Sequence, residues 1–334
     1  MSPEPIRSPG PPGWISASSL PVSALVGGQL VTAPTPFFQH DILKLGFLGM
    51  VPLVPQSVEF PPPAAEEIEL WTGPLLKQMI QPGYLSHSLL SIYLLPKDSK
   101  SVLQKGQNSV PAYEQHIMAT DLFRNSSLDV NDQNWAAITT FATSIVVFQF
   151  ATQQSCSVEA FDYIGILRML RSSASLARLV FPYLIKSDSW KFIYHRNNLP
   201  KPPLDQEAQD ALEHLEDYIY LQPMTTPNQC NKGVTRALRQ WVDDCEGYPQ
   251  KWQHYLAWPA YISDKYLTLL SERDDVALLI LVYWCAFLQR APRRWFMRYW
   301  PYRTASAAMG MLTGDWDGAL EWPRKVFASV SKEK

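Results

Sequence analysis

Residues 276–288 read VALLILVYWCAFL, a run of 13 with no charge, proline or glycine. A membrane span takes about 20 consecutive apolar residues, so this run is too short and reads as a helix buried in a folded domain. Residues 135–152, WAAITTFATSIVVFQFAT, are apolar almost all round and read as a central helix too. Asp132 and Asn134 stand just ahead of them as candidate caps. Working outward, helical patterning covers 84–95, 111–125, 161–183, 206–220, 233–245, 254–270 and 303–312, and a short last helix starts near 315. No stretch of any length alternates with the two-residue period of a strand. The expected fold is all-α, one large helical-bundle domain over residues 65–330.

The first 64 residues have another character. Thirteen of the 28 prolines fall before position 64, and proline breaks helices because it lacks the donor N–H. An irregular, proline-rich arm is expected, with one short helix over 40–48. Leu43, Leu45, Phe47, Leu48 and Met50 need cover, which suits an arm strapped across the domain. No apolar stretch follows a basic start, so no signal peptide is expected. An intracellular protein, cytoplasmic or nuclear, without a membrane span is the reading.

Charge and cysteine usage exclude several functions. The chain is 46% hydrophobic and 18% charged, with a formal net charge of -2. Nucleic-acid binders carry a basic surplus that displaces counterions from phosphate, so no direct nucleic-acid contact is expected. Cys156, Cys230, Cys245 and Cys285 form no CxxC pair, and a structural zinc site needs ligands at close spacing. His40, His87, His116, His195, His214 and His254 include no pair three or four residues apart. Neither metal nor cofactor is expected. Asp243-Asp244-Cys245-Glu246-Gly247 and Asp315-Trp316-Asp317-Gly318 look superficially like acidic cyclase motifs. They lack the further carboxylate such chemistry needs, and both read as helix ends. No phosphate-cradling glycine loop and no GxSxG elbow is present.

The order of segments resembles a known family. Residues 113–124, YEQHIMATDLFR, followed by Asn134-Trp135-Ala136-Ala137 and Phe141-Ala142, resemble a helical pair of the fungal-specific transcription factor domain. Leu256-Ala257-Trp258-Pro259, Tyr266-Leu267, Leu269-Leu270, residues 277–284, Arg294-Trp295, Trp316 and Leu320-Glu321-Trp322-Pro323 are similar, in that order, to the run found in its sterol uptake control group. The resemblance covers roughly residues 65–330. It implies a helical domain that binds a lipophilic ligand such as a sterol. In that family the domain follows a six-cysteine zinc cluster that reads DNA; the arm here contains no cysteine. The resemblance therefore implies a regulator without its own DNA-binding module, acting as a homodimer or paired with a complete zinc-cluster regulator.

The aromatic residues Trp258, Tyr261, Tyr283, Trp284, Phe287, Trp295, Trp300 and Trp316, with Met309, are the candidate wall of a pocket for an oily molecule. His254, just ahead of Trp258 and Tyr261, is a candidate donor or acid–base group, and Tyr261 is a second candidate catalytic residue. Two functions follow. One is a ligand-sensing regulatory protein. The alternative is an enzyme of fungal secondary metabolism, a cofactor-independent cyclase that folds a terpenoid or polyketide for closure, such as an intramolecular Diels–Alder reaction. Restraint and one or two donors are enough for such unimolecular chemistry.

Overall fold

The two apolar stretches become the two innermost helices. In a computed structural model, residues 69, 82–95, 110–126, 129–154, 156, 161–190, 206–223, 225–292 and 294–331 are described. They form α-helices and no strand: α1 (Gly83–Tyr93), α2 (Val110–Asn125), α3 (Trp135–Gln153), α4 (Tyr163–Leu184), α5 (Gln206–Tyr220), α6 (Thr226–Cys245), α7 (Trp252–Tyr261), α8 (Asp264–Ser271), α9 (Asp275–Gln289), α10 (Trp300–Met309) and α11 (Asp317–Ser331). The all-α expectation is met. The arm over 1–64 and its expected helix at 40–48 lie outside the described residues.

Every side chain from 276 to 288 is buried, because α9 touches α5, α6, α8, α10 and α11 on its different sides. Its start is fixed by Asp274, whose carboxylate accepts from Ala277 N at 2.8 Å and from Asn231 Nδ2 of α6 at 2.9 Å. The cap thus closes the helix end and ties α9 to α6. Helix α3 packs on α1 and α4, and α4 packs on α7. By length and composition α3 could cross a membrane, yet most of it is buried inside the protein. A helix apolar all round and enclosed by other helices is a core helix.

Three links join α3 to the α9–α10 side. Gln154 Nε2 donates to Trp295 O at 2.9 Å, and Arg303 donates to Gln153 O at 3.0 Å and Cys156 O at 2.8 Å. The Phe150 ring meets Trp300 edge-on, centroids 4.9 Å apart. The buried side chains of both halves join into one hydrophobic core.

Several expected boundaries move, each for a local reason. The pattern over 254–270 is two helices. Ile262 and Ser263 are extended, and the Ser263 hydroxyl accepts from Tyr266 N at 3.2 Å as the cap of α8. Helix α6 begins at Thr226 rather than 233, since Pro227 fits a first turn and the Thr225 side chain caps it. Helix α10 begins at Trp300, with Pro301 in its first turn. Asn134 does occupy the cap position of α3, but its side-chain oxygen accepts from Asn131 N instead of a helix N–H.

Helix α6 ends at the acidic pentapeptide. Gly247 N reaches Val242 O at 2.8 Å, and Glu246 and Gly247 both take positive φ, 52° and 67°. That is a left-handed helix stop, and Asp243 and Asp244 are exposed on its last turn. Among the described residues, no group of three His, Cys, Asp or Glu side chains could hold a metal ion.

Candidate tryptophan-lined site

The aromatic residues singled out in the sequence divide into two groups by helical phase. Adjacent positions on a helix point about 100° apart, so Tyr283 and Trp284 leave α9 in different directions. Tyr283 and Phe287, four apart, face α11 and α6. Their rings lie 5.7 Å and 4.8 Å from that of Trp322, and Phe287 is 6.4 Å from Trp241. The Tyr283 hydroxyl donates to Ala319 O at 2.8 Å, and burial pushes its pKa up. This group is filled, hydrogen-bonded core.

Trp284 faces the other way, into a row of five rings. Trp258 of α7 stacks on Trp284 at 4.7 Å and 29°. Trp300 of α10 meets Trp284 edge-on at 6.0 Å. Tyr266 of α8 extends the row beyond Trp258, at 5.9 Å, and Phe150 of α3 extends it beyond Trp300. All five rings are buried, the three indoles completely. Five helices therefore meet at this row.

The polar atoms of the row are unequally served. Tyr266 donates to Ala277 O at 2.8 Å. Nearby in the sequence of α6, Trp241 Nε1 donates to His254 O at 2.7 Å. In contrast, Nε1 of Trp258, Trp284 and Trp300 has no hydrogen-bond partner, and neither has the hydroxyl of Thr304, which is also fully buried. Thr304 lies four residues after Trp300, on the same face of α10. A buried donor without an acceptor costs about 1–3 kcal/mol. Three such donors add up to a sizeable part of the roughly 5–15 kcal/mol by which a domain is stable.

The remaining sequence candidates are placed elsewhere. Tyr261, the last residue of α7, is 63% exposed and does not join the buried rings. The helix ends there, so its side chain points to solvent. His254 is buried at the start of α7, and its Nδ1 accepts from Lys251 N at 3.4 Å. That bond and the carbonyl bond to Trp241 give it a role in holding the helix start. Trp316 is half-buried in the loop before α11. Its Nε1 donates to Asp275 Oδ2 at 3.3 Å, and the same carboxylate accepts from Thr313 N and Oγ1 and from Gly314 N. Burial would raise the Asp275 pKa, but these donors together hold it below the usual carboxylate value. Trp295 is half-buried against Phe296, and Met309 is half-buried at the end of α10. Of the candidates, the structure brings together Trp258, Trp284 and Trp300.

Thr304, Tyr266 and Phe150 were not among the candidates. Thr304 was within reach of sequence reasoning through its four-residue spacing from Trp300. Phe150 was not, since nothing in the chain relates it to position 300. Away from the row, His116 stacks on Phe148 at 4.0 Å, and burial lowers its pKa to about 4. Its ring is neutral at neutral pH.

No protein-family model matches this chain, and no curated protein and no solved structure matches it.

Proposed function

We propose that this domain binds a lipophilic, sterol- or terpenoid-like small molecule and works as a regulatory protein related to fungal zinc-cluster transcription regulators. One observation carries the reading: Trp258, Trp284, Trp300 and Thr304 are buried together with their polar atoms unpartnered. Orphaned donors at the meeting point of several helices are groups that an occupant with acceptor atoms would complete. The surroundings are aromatic and apolar, which suits an oily guest with a few polar atoms.

The placement of those groups on α7, α9 and α10 supports the regulatory part. A ligand shifts a packing equilibrium only by its differential affinity for the two arrangements. Hydrogen bonds to all three helices favour the arrangement in which those helices hold together. Such a domain signals through a second copy or through a regulator that carries its own DNA-binding module.

A second reading draws on the same donors. Preorganised N–H groups in a dry site stabilise charge that develops on a carbonyl oxygen during a cyclisation. In that reading the guest is a flexible terpenoid or polyketide, and the product leaves the site.

The test is chemical. The protein purified from a fungal host is extracted into organic solvent and the extract is read by mass spectrometry. A lipophilic molecule in near-stoichiometric amount is expected, and it should be lost from the Trp284→Ala variant. A clean extract from folded protein, together with no change in melting temperature on adding fungal lipid extract, contradicts the reading.

A further inference from the structure

We propose that this chain self-associates, with the basic outer face of α4 on one copy seated on the acidic outer face of α5 on a second copy. The contact involves neither the tryptophan row nor a ligand.

The two helices are opposite in charge. Helix α4 has Arg168, Arg171 and Arg178 and no acidic residue in its 22 positions. Helix α5 has Glu207, Asp210, Glu213, Glu216 and Asp217 and no lysine or arginine. Some of this charge is taken up inside the protein. Arg171 pairs with Asp264, Glu207 with Lys325 and Glu216 with Arg239. Arg178, with Lys186 just past the helix, stays turned to solvent, and so do Asp210, Glu213 and Asp217. Among the described residues neither Arg178 nor Asp217 has an ion-pair partner.

Each charged face runs into exposed apolar side chains at its C-terminal end. On α4 these are Leu179, Phe181 and, at the C-cap, Ile185; Leu179 is 61% exposed. On α5 they are Tyr220 and Leu221. Leu221 is 83% exposed and keeps the helical phase, since its N–H donates to Asp217 O at 3.0 Å. Apolar surface left in water at both helix ends is surface that a shared contact removes from water.

The faces also match in spacing. Arg171, Arg178 and Pro182 stand seven and four apart, and so do Asp210, Asp217 and Leu221. Seven residues are about two turns and four are about one, so each trio lies along one stripe of its helix. Laid side by side in the same direction, the stripes set Arg178 against Asp217 of the second copy and bring the apolar ends together. Within one chain α4 packs on α3, α7 and α8, whereas α5 packs on α6, α9 and α11. The complementary halves therefore meet between copies. A closed pair makes the contact twice, and an open one adds copies head to tail. An anionic membrane suits the α4 face alone and gives no role to the acidic stripe and Leu221 of α5.

The experiment is sedimentation velocity of the full chain over a concentration series. The wild type should associate as concentration rises, and less so at high salt, which screens exposed charges. Arg178→Glu and Asp217→Arg each set like charge against like and should weaken association about tenfold or more. Mixed in equal amounts, the two variants restore opposite charges at the contact and should associate as the wild type does. Leu221→Ser should weaken association with no change of charge. All these side chains are exposed, so melting temperatures should hold. A wild type that stays monomeric, association that both charge reversals leave intact, or a mixture that associates no better than its parts overturns the proposal. A monomeric wild type that binds phosphatidylserine vesicles, with binding lost in Arg178→Glu, overturns it too and assigns the α4 face to lipid.

Discussion

Trp284→Ala is expected to lower the unfolding free energy by about 3–5 kcal/mol, read as a shift of the urea midpoint with the slope unchanged. The residue is fully buried near the middle of α9, and its ring touches those of Trp258 and Trp300. Truncation opens a hole between helices fixed by other contacts, so the surroundings relax only in part. It also removes one orphaned donor, which returns about 1–3 kcal/mol and places the result toward the lower end of the range. Trp284→Phe keeps most of the ring contact and should cost about 1–2 kcal/mol. A loss under about 1 kcal/mol for the alanine variant would mean that the ring row does not hold these helices together.

Asp274→Ala is expected to cost about 2–5 kcal/mol. Loss of a helix cap costs about 1–2 kcal/mol, and here the helix is the central one. The same carboxylate accepts from the fully buried Asn231, so truncation strands an amide group at about 1–3 kcal/mol more. Asp274→Asn keeps an acceptor in place and is a good cap, so it should recover most of the loss. Thermal and urea unfolding measure both variants. If the asparagine variant is as unstable as the alanine one, negative charge at the start of α9 matters more than the two hydrogen bonds.

Much of the architecture was legible because burial leaves a plain mark on composition. Residues 276–288 and 135–152 are apolar on all sides, and both are enclosed by other helices. Residues 206–220 are amphipathic and form α5 with those bounds. What the chain concealed was punctuation made by single side chains. Ser263 splits one apparent helix into α7 and α8, because a hydroxyl cap competes with the helical period without changing it.

The site was legible in its residue types and not in its grouping. Tyr283 and Trp284 are neighbours in the chain and members of different clusters, since one step around a helix turns the side chain through about 100°. Tyr261 looked like part of the wall from its nearness to Trp258, but the end of α7 leaves it in solvent. Hydrogen-bond satisfaction was invisible altogether. Trp241 and Trp258 are equally aromatic and equally buried, and only the fold shows that one indole has an acceptor while the other has none.

The most direct measurement is the indole N–H spectrum of the protein labelled with nitrogen-15 on tryptophan, before and after cholestanone is added. Hydrogen bonding moves an N–H proton downfield, and the resonances of Trp258, Trp284 and Trp300, assigned by single Trp→Phe variants, are expected to move together. That of Trp241, already bonded to His254, should stay. If the three hold still while the ketone is demonstrably bound, or if they already stand at bonded positions in protein stripped of lipid and never respond, the tryptophan row is sealed core and the account fails.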